Sequence, residues 1–182
     1  EFDPAPNEEF TATARSISDV FIQKLDASGN FVWLKTMTGS GRGGAGAGIA
    51  TDGSNNVFVT GEFYSTVDFD PGEGVFELTG THLGNVFLQK LDASGNFLWA
   101  HAAENSDGGV RGTGVAVDAD GNAFVAGEFA RTVLYDLDSE NLYLTSGGET
   151  DVFLKKVDTN GTLLWAKRWG GAGAEACYGV AT

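Results

Sequence analysis

An all-β protein assembled from repeated four-stranded units is what this sequence predicts, on three observations. A 15-residue stretch, DVFIQKLDASGNFVW at Asp19–Trp33, returns as NVFLQKLDASGNFLW at Asn85–Trp99 and as DVFLKKVDTNGTLLW at Asp151–Trp165, at one constant interval. A fixed period of that length marks a repeat architecture, in which each supersecondary unit needs its neighbours to bury its apolar faces. Apolar residues come in short runs cut by Asp, Asn and Gly, and no useful length of chain shows the 3.6-residue apolar period of a helix. Gly supplies 27 of 182 residues, roughly twice the usual share, and falls at turn positions and in one recurrent segment.

Taken in order, residues 1–18 begin inside a unit, because Phe2-Asp3-Pro4 matches Phe69-Asp70-Pro71 and Phe10 aligns with Phe76. Val20–Leu25 and Phe31–Leu34 are apolar runs joined by Asp26-Ala27-Ser28-Gly29-Asn30. Asp opening a turn and Gly placed for positive φ predict a tight hairpin with a type I turn and a bulge. Val20, Phe21, Ile22 and Leu25 put apolar groups on both faces of the first strand, so neighbours are expected to cover both. The Gly-rich segment Thr38–Gly48 leads into Ile49-Ala50-Thr51, with equivalents at Gly112–Asp118 and Gly179–Thr182. Small residues before a short β run suit a strand packed where backbones crowd, as near the axis of a radial fold. Asn56–Phe63 (NVFVTGEF) and Asn122–Phe129 (NAFVAGEF) read as the adjoining strand after a Gly/Asn turn. An excursion follows from Tyr64 to Asn85, with brief β pieces at Val67–Phe69 and Val75–Leu78 around Pro71-Gly72. Its second copy, Ala130–Thr150, keeps Thr132-Val133 and Leu144-Thr145 but has Leu137-Asp138 at the tip.

Each unit thus holds four core strands and a short extra hairpin, which is the grammar of a β-propeller blade. An immunoglobulin-like array would need about 100 residues per unit. The expected division is 1–44 for the end of blade 1, 45–109 for blade 2, 110–170 for blade 3 and 171–182 for the start of blade 4. Propellers close with about four to eight blades, so these roughly 2.8 repeats are expected to form a partial ring, a piece of a longer propeller or an arc completed by other chains.

The segments DVFxxKLDxxGNxxW, GxGIATDxxxNVFVTGEF and TVDFDPGxGxFxLT resemble the bacterial repeat family named for its seven-bladed β-propellers (SBBP repeats), and together they cover nearly the whole chain. The resemblance implies a blade unit of large secreted or surface-attached bacterial proteins. It implies no single activity and no general catalytic motif, and function lives in sites rather than in folds.

Composition narrows the partners. A net charge of −14 would repel a phosphate backbone, so nucleic acid is not expected. Cys177 is the sole cysteine, which rules out an intrachain disulfide framework; among Ala and Gly it reads as a small core residue. No apolar run approaches the ~20 residues of a membrane helix, and no signal peptide opens the sequence.

The search for chemistry yields no catalytic, cofactor-binding or metal set. Gly39–Gly44 fits GxGxxG in form, but a β segment follows it, whereas a dinucleotide loop opens a helix. Asp118-Ala119-Asp120-Gly121-Asn122 resembles the start of a calcium loop, and reads, like Asp52 and Asp26, as a hairpin turn. His82 and His101 stand in different contexts and make no three-ligand zinc set. Glu62 and Glu128 repeat one GEF environment, so they read as blade structure facing a channel, not as an acid/base pair. Trp33, Trp99 and Trp165 at equivalent positions read as packing between blades, while Trp169 breaks the register and is expected to be exposed. Asn160-Gly161-Thr162 fits a glycosylation sequon but occupies a turn. The remaining candidates are the acidic excursions. Asp68, Asp70 and Glu73, with Asp136, Asp138 and Glu140 in the second copy, could offer oxygen ligands to calcium, against the plainer reading of a solvated acidic edge that discourages sheet association.

The function expected is that of a non-catalytic structural or interaction module of a larger extracellular or cell-surface bacterial protein. Its partners would be the rest of its ring, other proteins or glycans. Binding is expected on loops that vary between blades, at Pro71–Gly74, Leu137–Glu140 and Glu104–Gly109. The rivals are a carbohydrate-active or other hydrolytic propeller, which needs unlike acidic residues converging on a channel, and a spacer in a surface filament.

Overall fold

The structure is a computed structural model that describes residues 11–105, 108–137 and 140–182. Fifteen strands and no helix occur among them: β1 (Val20–Leu25), β2 (Phe31–Gly39), β3 (Gly44–Thr51), β4 (Val57–Phe63), β5 (Thr66–Asp68), β6 (Glu77–Thr79), β7 (Asn85–Leu91), β8 (Phe97–Ala102), β9 (Glu104–Asn105), β10 (Val110–Val117), β11 (Ala123–Phe129), β12 (Thr132–Leu137), β13 (Glu140–Thr145), β14 (Asp151–Val157) and β15 (Leu163–Trp169). Two complete antiparallel blades, β3-β4-β7-β8 and β10-β11-β14-β15, carry the strand order the repeat predicts. The strands β1 and β2 are the outer half of a third blade.

The turn chemistry is uniform. At Asp26, Asp52, Asp92, Asp118 and Asp158 one carboxylate oxygen accepts two backbone N–H groups, from the residues two and four positions on. Gly29, Gly95, Gly121 and Gly161 supply the positive φ (83°, 80°, 82° and 90°), with Asn55 at 61° in the remaining turn. Bulges at Lys24/Leu25, Lys90/Leu91 and Lys156/Val157 complete the predicted hairpins.

The excursion hairpin does not stay with its own unit. β5 pairs with the outer strand β2 of the preceding blade, Thr38 opposite Asp68 and Gly39 opposite Val67, giving the sheet β1-β2-β5-β6. In the next unit β12 pairs with β9, which carries on from β8 beyond Ala103 on the outer edge of its blade. A cross-strand threonine pair marks both hairpins, Thr66 with Thr79 at 3.0 Å and Thr132 with Thr145 at 3.1 Å. The outer edges of the first two blades are therefore covered by chain from the following unit, which answers the edge-strand problem there by pairing.

The core lies between blades. Val20, Ile22, Met37, Val57, Val59, Phe63, Val67, Phe69, Phe87 and Leu91 form one layer with Ala100. Their equivalents in the next repeat, from Val86 and Leu88 to Tyr135, Phe153 and Val157, form the second. Phe63, Phe69 and Phe87 stack edge-on and tilted at centroid separations of 5.1–6.3 Å, and all three are fully buried.

Burial along the third strand of each blade shows what this layering requires. Every residue of β7, in the middle blade, is buried. In β1 the expectation that both faces are covered fails: Phe21 and Leu25 are 54% and 45% exposed, whereas their equivalents Phe87 and Leu91 are fully buried. The alternate face of a strand is covered only where a blade stacks on it. The segment expected to open a further blade, Gly179–Thr182, forms no strand, although it lies beside β10 with the Thr182 hydroxyl donating to Val117 O at 2.9 Å. Among the described residues no adjoining strand pairs with it, and a strand is defined by its pairing.

Candidate functional site

The first strands of the blades converge at closest approach on glycine. A Cβ at Gly48 would sit 2.9 Å from Gly114 Cα and Val115 N, and one at Gly114 would sit 3.2 Å from Gly179 Cα. Only glycine permits that approach without backbone movement, so the Gly-rich runs are packing devices, and Gly39–Gly44 is the connection between β2 and β3.

Glu62 and Glu128 flank this convergence and line a cavity of about 460 Å³ together with Arg111, Cys177 and Tyr178. The expectation of one repeated environment is corrected here. Glu128 accepts from Arg111 Nη2 at 3.2 Å and from the backbone N–H of Cys177 at 2.9 Å. Glu62 instead faces Tyr64, whose hydroxyl pKa is raised by burial and by that carboxylate. The asymmetry comes from Arg111, where the preceding repeat has Ala45, and from Tyr64, where the following repeat has Ala130. Cys177 is also corrected. It is half-buried at the cavity rim rather than in a core, with its thiol 3.7 Å from Gly179 O.

The acidic excursion is organised by its own backbone. Asp68 Oδ1 accepts the N–H groups of Asp70 and Phe76 at 3.0 and 2.9 Å, and Asp70 Oδ1 that of Gly72 at 2.8 Å. Among the described residues no group of three or more His, Cys, Asp or Glu is placed to hold a metal ion. The side chains of Asp136, Asp138 and Glu140 lie outside what the structure describes, as do Phe2–Phe10 and parts of the loops 104–109 and 137–140.

The tryptophans join blades. Trp33 Nε1 donates to Ala93 O at 3.4 Å and Trp99 Nε1 to Thr159 O at 3.2 Å, in each case the β-turn carbonyl of the next blade. Lysine reinforces each bond: Lys24 Nζ donates to Ala93 O at 2.8 Å and Lys90 Nζ to Thr159 O at 3.0 Å. Trp165 packs edge-on against Phe124 of its own blade and makes no such bond among the described residues. Trp169 is 52% exposed, as expected; its equivalents Met37 and Ala103, which lie beneath the excursion hairpin of the following unit, are 1% exposed.

One polar group escaped sequence reasoning. Lys155 and Tyr135, both 3% exposed, share a cavity of about 190 Å³ with His101 between blades 2 and 3. The signal was present as a departure from the repeat. The equivalent positions one unit earlier are Gln89, Phe69 and Lys35.

Among known proteins, 112 residues of the chain, 60% of it, are 32% identical to an uncharacterized WD repeat-containing protein of Acanthamoeba polyphaga mimivirus. The match spans 8% of that protein's length. No family model matches the chain. The constant sequence period, the four-stranded antiparallel sheets and this likeness agree: the chain is a β-propeller-type repeat protein with the fold of a partial propeller.

Proposed function

We propose that the chain is an arc of a β-propeller that works as a non-catalytic interaction module within a larger assembly, its open faces taking further blades of the same kind. The observation that carries this is the complementarity of the two outer faces. The Trp165 indole N–H, at the place from which Trp33 and Trp99 bond the next turn, has no acceptor among the described residues. Ala27 O, at the place of the acceptors Ala93 and Thr159, takes no hydrogen bond among them. Exposed Leu25 beside that turn, whose equivalents Leu91 and Val157 are buried where a blade stacks on them, is the apolar half of the joint on that face.

The finer reading is a blade array of the bacterial seven-bladed-propeller type, in a secreted or surface-attached protein, binding proteins or glycans through the variable loops. The acidic surface and the sequence resemblance support it. The test of the joint is the mass of the chain in solution across a concentration series. Association that a Trp165→Ser and Leu25→Ser double variant abolishes is expected. A folded wild-type monomer at every concentration defeats the reading. A glycan array without hits would remove the glycan part and leave the protein part standing.

A further inference from the structure

The cavity between blades 2 and 3 holds a cation that no described residue pairs. Lys155 on β14 is 3% exposed and makes no hydrogen bond or ion pair among the described residues; its Nζ stands 5.4 Å from the centre of the Tyr135 ring. The Tyr135 hydroxyl, on β12, is buried without a partner among them. An ammonium carries three donors and no acceptor, and a phenol carries one donor. Burying such groups unsatisfied is costly, the more so when one is charged. Among the described residues no carboxylate lines the cavity, and that of Asp158 is held by the N–H groups of Asn160 and Thr162. Burial lowers the Lys155 pKa to about 8, so the amine is still mostly charged at neutral pH. His101 on β8 adds no second cation, because burial first and the Lys155 charge second push its pKa down, against an opposing pull from Asp158.

The repeat shows that this arrangement is not required for folding. One unit earlier the same place holds Gln89, which donates to Phe69 O, with a phenylalanine in place of the tyrosine. Blade 3 has exchanged a neutral pair for a cation and a hydroxyl donor. The rest of the lining is mixed: Leu88, Ala102, Val157 and Leu163 give an apolar side, and the turn residues Asn160, Gly161 and Thr162 a polar one.

We propose that this cavity binds a short-chain carboxylate, one oxygen taking the Lys155 ammonium and the other the Tyr135 hydroxyl, with the alkyl tail on Leu88, Val157 and Leu163. A single negative charge matches the single cation, two oxygens match the two donor groups, and about 190 Å³ suits a few heavy atoms. A ligand of that size binds with a Kd on the order of 1 mM. The inference is independent of how the ring is completed.

The experiment titrates the full chain with sodium propionate, sodium chloride or sodium phosphate at matched ionic strength, read by protein chemical shifts and by Tm. Saturable binding of propionate alone is expected, weakening as pH rises through about 8, where Lys155 loses its proton in the presence of neutral His101 and Tyr135. Lys155→Gln and Tyr135→Phe restore the residues of the preceding unit, so both should fold, which circular dichroism checks. Lys155→Gln should weaken propionate at least tenfold and Tyr135→Phe by less. The proposal is overturned by any of three results: no saturable propionate binding to wild type, equal binding of phosphate, or undiminished binding to folded Lys155→Gln.

Discussion

The indole nitrogen of Trp33 donates to the carbonyl oxygen of Ala93 across a blade boundary, and Trp99 repeats the bond to Thr159 one period later. The two bonds put the same side chain to the same use at both junctions. Trp33→Phe keeps an aromatic ring but removes the donor and part of the indole's packing surface, so it should destabilise the chain by at least about 0.5–1.5 kcal/mol in urea titration. A loss several times larger would show that the ring's shape, not its N–H, secures the joint.

Phe69 tests whether the excursion is structural. It follows β5, is fully buried, and packs on Phe63 and Phe87. Phe69→Ala should cost about 3–5 kcal/mol, the range for a truncated buried aromatic. A loss under about 1 kcal/mol would mean that the hairpin peels away at little cost.

Gly48 tests the convergence of the first strands. Alanine there puts a Cβ 2.9 Å from backbone atoms of Gly114 and Val115, and backbone yields poorly. Gly48→Ala should destabilise by about 1–3 kcal/mol. Gly53→Ala, with nothing within 4 Å of the added Cβ, is the control and should be near neutral.

The turn aspartates set an acid limit. Asp26, Asp92 and Asp118 have pKa values held below 3.8 chiefly by the Asn four residues on, Asp118 at about 2. At Asp52 burial pulls upward, but hydrogen bonds from Asn56 and Ser54 outweigh it. Depressed acids stabilise the fold fully above 3.8, and that contribution drains as pH falls toward about 2. The Tm should therefore fall steeply between pH 4 and 2, beyond the shallower loss below pH 6.5 that comes from the lowered His101 pKa. Asp118→Asn should melt lower than wild type at pH 7 and converge with it at pH 2. Parallel curves at all pH values would refute the assignment.

Calcium should make no difference to the first excursion, because backbone amides already occupy the Oδ1 atoms of Asp68 and Asp70. Chelator followed by excess calcium should leave Tm unchanged; a rise on re-addition would reinstate a metal.

How much of this was legible follows from what repetition can encode. Strands such as Val57–Phe63 and turns such as Asp92–Asn96 were readable because side-chain pattern and turn chemistry are local and recur. Where the excursion hairpin goes was not readable. The ladder of Thr38 with Asp68 is a backbone pairing between segments far apart in the chain, and it leaves no side-chain signature. Exposure of Leu25 was missed because one sequence pattern is buried or exposed according to whether a blade stacks on it. The sites were least legible. A repeat draws the eye to what recurs, whereas Arg111, Tyr135 and Lys155 stand out only as exceptions to it.

Pairing each excursion with the blade before it puts the sequence period and the physical unit out of phase. A duplicated or deleted stretch of one full period, wherever its ends fall, still delivers one hairpin backward and receives one from ahead. The number of blades in the array can therefore change by whole periods with no seam to redesign.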